Sequence, residues 1–385
     1  MAQKKLRVGV LFGGRSAEHE VSIVSARSVM AALDKRKYVV VPIGITKQGR
    51  WIAGDNAVKQ LESGAQIPAA LAQTLPPDPT VHSLVALQQS RGERRMQKSK
   101  IPAWPANRKN QKLDVIIPVL HGTYGEDGTV QGLLELAGIP YVGAGVLGSA
   151  LGMDKVAQKL VYEAGGIPTP RFDYLTTQEW KAKPAIILRR LRKLGLPLFV
   201  KPANLGSSVG ISKVKQATAK AGQGRKLAAA INLAARYDRR ILVEQAVPHA
   251  MEIEVAVLGN NRPRASVCGQ ILSSNEFYDY DAKYVDGRSK AVIPAPLPTR
   301  VAKQVRELAL QAFKALDLAG MARADFLVNS KTHKVFLSEV NTIPGFTSIS
   351  MYPKLLDELI RLARERHAAR AKLQMSFKPK LKWYR

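Results

Sequence analysis

Arg323 and Asp325, and a short way downstream Glu339 and Asn341, carry the clearest chemistry in the chain. They fall in residues 321–351, MARADFLVNSKTHKVFLSEVNTIPGFTSISM. The stretch alternates like two strands, with Arg323, Asp325 and Leu327 on one face and Leu337, Glu339 and Asn341 on another. A turn at 330–334 predicts antiparallel pairing that sets Leu327 opposite Leu337, Asp325 opposite Glu339 and Arg323 opposite Asn341. Two carboxylates facing each other on one sheet surface repel. A hard dication reverses that sign, because Mg²⁺ takes oxygen ligands from carboxylates and completes its shell with phosphates and water. The blander reading is a solvated hairpin face. Against it stand Pro344 and Gly345, which break the second strand and leave backbone N–H groups beside the acidic pair.

A second constellation is KPANLGSSVG at 201–210. Gly206 and Gly210 let backbone N–H groups approach an anion, Ser207 and Ser208 add hydroxyl donors, and Lys201 adds a point charge. A flexible hairpin tip with a solvated lysine is the structural alternative. No G-x-x-x-x-G-K-[ST] motif occurs, so any nucleotide must lie between two β layers rather than in a P-loop. Glu244 and Gln245 end a strand where a carboxylate and backbone groups can meet an adenine edge, and Glu252 follows for ribose hydroxyls. With Lys155 as a second spaced lysine, the set points to phosphoryl transfer from ATP–Mg²⁺. Arg323 and the Gly345 N–H stand where a developing oxyanion needs fixed donors. His121 heads a glycine loop, which favours a polar binding role over a core one.

These residues need elements to hold them. The chain has 385 residues, 46% hydrophobic and 23% charged, enough for two or three domains of an ordinary globular protein. No run of about 18 apolar residues reads as a membrane span. The basic N-terminus leads into a strand and a glycine turn rather than a signal peptide. The single cysteine, Cys268, excludes an internal disulfide or a cysteine metal cluster; it fits a reducing cytosol and reads as a buried, inert thiol. The net charge of +29 is concentrated at 91–112, 181–193, 213–226 and from 361 onward, all connecting or terminal segments. Without aromatic interleaving or zinc-finger spacing it reads as solvated surface, and neither nucleic acid nor membrane is expected as a partner.

Residues 5–12 predict a buried strand, Ser16 an N-cap for a helix to about Leu33, and 38–45 a second strand. As a dinucleotide fingerprint the first loop is weak, because GGRSAE lacks the third glycine. Residues 54–112, with repeated prolines and a basic middle, predict an elaborated surface insertion. Strands at 113–120 and 139–142 flank a helix. That repetition predicts an open parallel sheet with its ligand crevice at the strands' carboxyl ends, where the loops 13–18 and 121–128 fall. Downstream, residues 149–170 predict a single helix ending in a Gly-Gly-Ile-Pro turn, 215–237 and 301–318 further helices, and 240–245, 251–258 and 265–272 strands. The polar loop 273–298 is long enough to be functional.

HGTYGEDG (121–128), KPANLGSSVG (201–210), EFYDYDAKY (276–284), MARADFLV (321–328) and SEVNTIPGFTSIS (338–350) closely resemble the D-alanine–D-alanine ligase family of ATP-grasp enzymes. GGRSAEHEVS (13–22) resembles the family's first substrate loop, and the likeness runs through 5–360 in order. The resemblance implies an α/β fold, α+β in part, with a three-domain ATP-grasp architecture and an N-terminal open parallel sheet. Its expected division is an N-terminal substrate domain at 1–147, a central ATP-grasp subdomain at 148–247, a C-terminal one at 248–365 and a basic tail at 366–385. It further implies a cytoplasmic homodimer that makes D-alanyl-D-alanine for peptidoglycan from two D-alanines and ATP through an acyl phosphate. Two Mg²⁺ ions, with Mn²⁺ as a substitute, would lie on Asp325, Glu339 and Asn341.

Residue by residue, Lys155, Lys201 and Lys283 would meet ATP phosphates, with Gly206, Ser207 and Ser208 as the clamp. Glu244, Gln245, Val247 and Glu252 would hold the nucleoside, Gln245 standing where many relatives carry lysine. Glu18 would take the first D-alanine's ammonium in a set with Ser207 and Tyr284, with His121 nearby. Arg323 and Gly345 would stabilise the oxyanion, and Ser350 and Met351 would hold the second D-alanine. The loop carrying Tyr284 would be a lid that excludes water. Two alternatives stand beside this. One is a D-alanine–D-lactate ligase, against which Tyr284 argues; the other is a basic nucleic-acid-binding protein on a retired scaffold, against which the intact polar set argues.

Overall fold

The computed structural model describes residues 4–64, 67–68, 71–87, 112–215, 220–272, 290–346 and 352–374. The first sheet holds strands β1 (Leu6–Gly13), β2 (Tyr38–Ile45), β3 (Trp51–Ala53), β4 (Gln73–Thr74), β5 (Val85–Ala86) and β6 (Val115–Val119), in the order β5-β4-β3-β2-β1-β6. β1 pairs in parallel with β2 and β6, as the apolar runs separated by a helix predict. Helices α1 (His19–Ala32), α2 (Ala57–Glu62) and α3 (Thr129–Leu136) belong to this region. The described part of 54–112 is more than a surface insertion. It adds the antiparallel strands β4 and β5 to the sheet, and Leu61, Ile67 and Leu75 are buried in its cores. Helix α1 begins at His19, and Ser16 is not its N-cap. Glu18 holds that position, while the Ser16 hydroxyl accepts the Glu18 N–H at 3.1 Å in a local turn.

The expected single helix at 149–170 is two, α4 (Val146–Met153) and α5 (Lys155–Ala164). Asp154 adopts an extended backbone between them, and its side chain accepts the N–H groups of Val156 and Ala157 at 3.0 and 2.9 Å. That is an N-cap, so the acidic residue starts a new helix where periodicity alone runs through it. A second sheet follows, β7 (Phe172–Thr176), β8 (Leu198–Pro202), β9 (Ser212–Val214) and β10 (Arg240–Gln245), ordered β7-β10-β8-β9 and antiparallel throughout. Helices α6 (Thr177–Ala182), α7 (Pro184–Leu191) and α8 (Lys220–Ala234) accompany it.

The third sheet comprises β11 (Ala250–Gly259), β12 (Arg264–Ala265), β13 (Gly269–Leu272), β14 (Lys290–Val292), β15 (Gly320–Asn329) and β16 (Val335–Asn341). Its path is β14-β13-β11-β15-β16, so β16 is an edge, and α9 (Thr299–Ala315) packs an apolar face on it. The last helix, α10 (Leu356–Ala371), returns to the first sheet: Leu356, Leu359 and Ile360 share a core with Val8, Phe12 and Val115. Farther along α10, past Leu362, the Arg366 guanidinium lies 4.4 Å over the Tyr141 ring. Cys268 is buried, and burial raises its thiol's pKa, in line with an inert role. Among the described residues no helix is long and apolar enough to cross a membrane.

Candidate active site

The hairpin at β15 and β16 forms the first wall. Asp325 pairs with Glu339 and Arg323 with Asn341, as the alternation predicts. Beyond Asp325 a β-bulge shifts the register, so Leu327 faces Phe336 and not Leu337, which pairs with Phe326 in the core. A period-2 reading cannot anticipate an extra residue on one strand. The acidic pair is compensated by cations. Arg323 grips Asp325 with two bonds, Nε to Oδ1 at 2.7 Å and Nη2 to Oδ2 at 2.6 Å, and lies 3.3 Å from Glu254 Oε1. Asn341 Nδ2 donates to Asp325 Oδ2 at 2.9 Å, and Lys155 Nζ lies 3.2 Å from Glu339 Oε2.

Two carboxylates and an amide form an all-oxygen donor set that suits a hard dication. Among the described residues no three His, Cys, Asp or Glu side chains converge as a metal site. A Mg²⁺ ion held there would complete its shell with phosphate and water.

The second wall is the clamp after β8. Ser207 and Ser208 adopt left-handed backbone angles, φ +49° and +60°, an uncommon state for non-glycine residues. The Ser207 hydroxyl donates to the Glu18 carboxylate, so the clamp closes on the first loop. A Cβ added to Gly206 would lie 2.6 Å from Glu18 Oε2, which explains the glycine there. Lys155 joins clamp and hairpin: its Nζ donates to Leu205 O at 2.8 Å and its N–H to Ala203 O at 2.9 Å. Lys201 pairs with the buried Glu244 carboxylate, which also lies 2.9 Å from Lys159 Nζ. Burial alone would raise the Glu244 pKa, but the two ammonium groups outweigh it and hold the carboxyl at about 2. Burial also pulls Lys159 down although Glu244 opposes it, while Lys201, at the more open end, is held above its usual value by Glu244 and Glu339 despite burial.

The third wall comes from the carboxyl ends of β1 and β6. Glu18 and His121 are both buried. Burial pushes the His121 imidazole down to about 4, so it is neutral at physiological pH, and its Nε2 lies 3.0 Å from the Ser25 hydroxyl. Glu126 accepts the N–H of Gly122 at 2.7 Å and that of Ile343 at 3.1 Å, tying this loop to the turn after β16. Burial of its carboxyl and then the charge of Glu18 push it up to about 8, although part of the residue reaches solvent. Among the described residues, nothing lies within 4 Å of a Cβ added at Gly345.

Glu18, Ser207, Lys155, Lys201, Glu244, Arg323, Asp325, Glu339 and Asn341 are thus joined by these contacts, with His121 beside them. Gln245 and Val247 lie at and just beyond the end of β10, and Glu252 lies on β11 two residues before Glu254. Lys283, Tyr284, Ser350 and Met351 lie outside the described residues. Glu126, Gln158, Lys159 and Glu254 escape the sequence reading. Lys159 and Gln158 do carry a signal, since they follow Lys155 by four and three positions on α5 and so share its face. Glu254 alternates with Glu252 on one strand face.

Two family models match in chain order, the D-ala D-ala ligase N-terminus over residues 7–144 and the D-ala D-ala ligase C-terminus over 161–359. A D-alanine–D-alanine ligase from Natranaerobius thermophilus is 46% identical over 358 residues, 92% of this chain and 91% of that protein. The solved D-alanine–D-alanine ligase from Coxiella burnetii superposes with a TM-score of 0.76 at 35% identity, covering 96% of this chain and 97% of that one. The VanG D-Ala:D-Ser ligase from Enterococcus faecalis superposes with a TM-score of 0.73 at 31% identity, covering 94% and 100%.

Proposed function

The chain belongs to the D-alanine–D-alanine ligase family, with the ATP-grasp fold, and from that premise we propose that it joins two D-alanines at the expense of ATP. The dipeptide serves peptidoglycan precursor synthesis. The observation that carries the reading is the reach of Lys155, whose ammonium touches both the hairpin carboxylate Glu339 and the clamp carbonyl of Leu205. A phosphate bound between them replaces neither backbone nor fold; it takes over a charge already placed.

The first D-alanine's carboxylate oxygen attacks the γ-phosphorus of ATP, giving D-alanyl phosphate and ADP. The amine of the second D-alanine then attacks the acyl carbon, and the tetrahedral intermediate expels phosphate. Glu18, held by Ser207, receives the first substrate's ammonium. Neutral His121 contributes no charge of its own beside it. Arg323 and the Gly345 N–H stabilise the oxyanion, and Lys155 and Lys201 hold phosphate oxygens. Asp325, Glu339 and Asn341 would hold the divalent cations, two Mg²⁺ or Mn²⁺ in their place, which neutralise charge on the transferring phosphoryl group. Tyr284 and Lys283 on the lid, and Ser350 with Met351 at the second substrate, complete the assignment, with Gly206 and Ser208 in the clamp. Gln245, Val247 and Glu252 face the nucleoside. Because Glu244 is committed to Lys159 and Lys201, its part at the adenine is to set those lysines as much as to touch the base.

We also assign the chain to the cytoplasm as a homodimer, divided at 1–147, 148–247 and 248–365 with a basic tail beyond. The test is ADP and phosphate release on adding D-alanine with Mg²⁺, with the product identified by mass spectrometry. Stoichiometric D-alanyl-D-alanine is expected. No release, or depsipeptide in preference to dipeptide from mixed D-alanine and D-lactate, overturns the assignment.

A further inference from the structure

The strand that carries Glu339 and Asn341 is a sheet edge, and an edge strand's outward N–H and C=O groups need partners. On β16 those partners come from two points. Leu337 N–H donates to Pro168 O at 2.7 Å, and Leu337 O accepts from the Thr169 hydroxyl at 2.9 Å. Three residues on, Val340 N–H donates to Gln158 Oε1 at 2.8 Å and Val340 O accepts from Gln158 Nε2 at 3.2 Å. A regular strand turns such groups to one side at every second residue. The three-residue spacing here follows from the bulge, which lies between the two anchors and leaves Ser338 as the extra residue next to Glu339.

The Gln158 primary amide therefore acts as one residue of a missing neighbouring strand. It is buried, and its capacity is filled: Oε1 also accepts from the Tyr162 hydroxyl at 2.5 Å, and Nε2 also donates to Gly152 O. Only one orientation of the amide satisfies this set, because Val340 N–H needs an acceptor and the two carbonyls need donors. The same helix carries Lys155, which faces Glu339, and Lys159, whose Nζ donates to Thr169 Oγ1 at 2.7 Å and so backs the other anchor. Gly152 adds shape, since a Cβ there would lie 2.3 Å from Thr342 Cγ2.

We propose that Gln158 is a positioning residue for the divalent cation: by clamping Val340 it fixes the bulge and the directions of Glu339 and Asn341 on either side. This rests on the reading of those residues as cation ligands. Partners that orient a ligand without touching the metal typically change metal affinity by about 10–100-fold.

The experiment measures Mn²⁺ binding by electron paramagnetic resonance in the presence of a non-hydrolysable ATP analogue, and analogue binding without metal by calorimetry. Wild type must bind Mn²⁺ with the analogue; if it does not, the cation reading fails before Gln158 is at issue. In Gln158→Met, which keeps volume and loses both bonds to Val340, Mn²⁺ affinity should fall about tenfold or more while metal-free analogue affinity stays within about twofold. Gln158→Glu keeps the acceptor for Val340 N–H and Tyr162 but loses the donor, and should fall between; it decides the matter if the methionine variant does not fold. A folded variant with unchanged Mn²⁺ affinity, or with equal losses for metal and metal-free nucleotide, overturns the proposal.

Discussion

The molecule holds two carboxylate–lysine arrangements within one site, and they are built for opposite purposes. Glu244 with Lys159 and Lys201 lies between sheet and helix, with the Glu244 and Lys159 side chains only 3% and 2% exposed. Glu339 with Lys155 is only partly buried, 25% and 13% exposed, as is Lys201 at the edge of the first arrangement, at 15%. The chemistry is the same and the dielectric setting is not. A buried pair cannot exchange its partner for a ligand without stranding a charge, so it is permanent. A partly buried pair is held less firmly than that and can yield its carboxylate to an incoming cation. The Glu244–Lys159 contact fixes the site and holds Lys201 at its more open edge, whereas the Glu339–Lys155 contact is the one placed to exchange.

The comparison breaks most sharply at Glu339. Glu339→Ala should lower turnover on the order of 10³-fold, about 4 kcal/mol of transition-state stabilisation, while urea unfolding changes by less than about 1 kcal/mol. Retained turnover would remove the cation assignment. Lys159→Met should do the reverse and destabilise by about 3 kcal/mol in urea unfolding, because Glu244 keeps only one counter-charge in the interior. Its pH dependence sharpens the point. Between about pH 4.5 and 2 the unfolded chain binds a proton at this glutamate that the folded chain does not, so the pair's stabilisation is full above that window and is lost as pH falls through about 2. In Lys159→Met that part of the acid slope should shrink. An unchanged slope would show that Lys201 alone holds Glu244 ionised.

The working arrangement was more legible in the sequence than the permanent one. Arg323, Asp325, Glu339 and Asn341 announce themselves because strand periodicity puts them on one face, and Pro344-Gly345 ends the strand visibly. Local pairing needs only the turn at 330–334 to be placed correctly. The bulge was not visible, since one extra residue leaves no compositional mark, and it moved Leu337 to the core. The buried triad was invisible for a different reason. Lys159 meets Glu244 across 85 positions of chain, and nothing local to either residue states that distance. Reading α4 and α5 as one helix hid it further, because the break at Asp154 sets which face of α5 looks inward. Glu126 stands inside the HGTYGEDG motif, yet its bond to Ile343 is a tertiary fact. The parallel pairing of β1 with β2 and β6 was legible from apolar runs and glycine loops. The return of α10 to the first sheet was not, because an amphipathic helix does not declare which sheet it covers.

The smallest expected effect decides whether the open pair is as loose as its exposure implies. A double-mutant cycle on stability with Lys155→Met, Glu339→Gln and both together isolates the pair's coupling from the other contacts of each residue. Lys155 keeps its bond to Leu205 O in the Glu339 variant, and Glu339 sheds some repulsion from Asp325, so the single-variant costs mix several effects that the cycle cancels. The coupling should be at or below about 1 kcal/mol and should weaken in about 1 M NaCl, where screening acts within a few ångströms. The matching cycle with Lys159→Met and Glu244→Gln should give about 2 kcal/mol or more and be nearly indifferent to salt, because no counter-ion reaches the pair. If the two couplings come out equal, exposure is not what separates a charge that holds the fold from one that is free to take a cation.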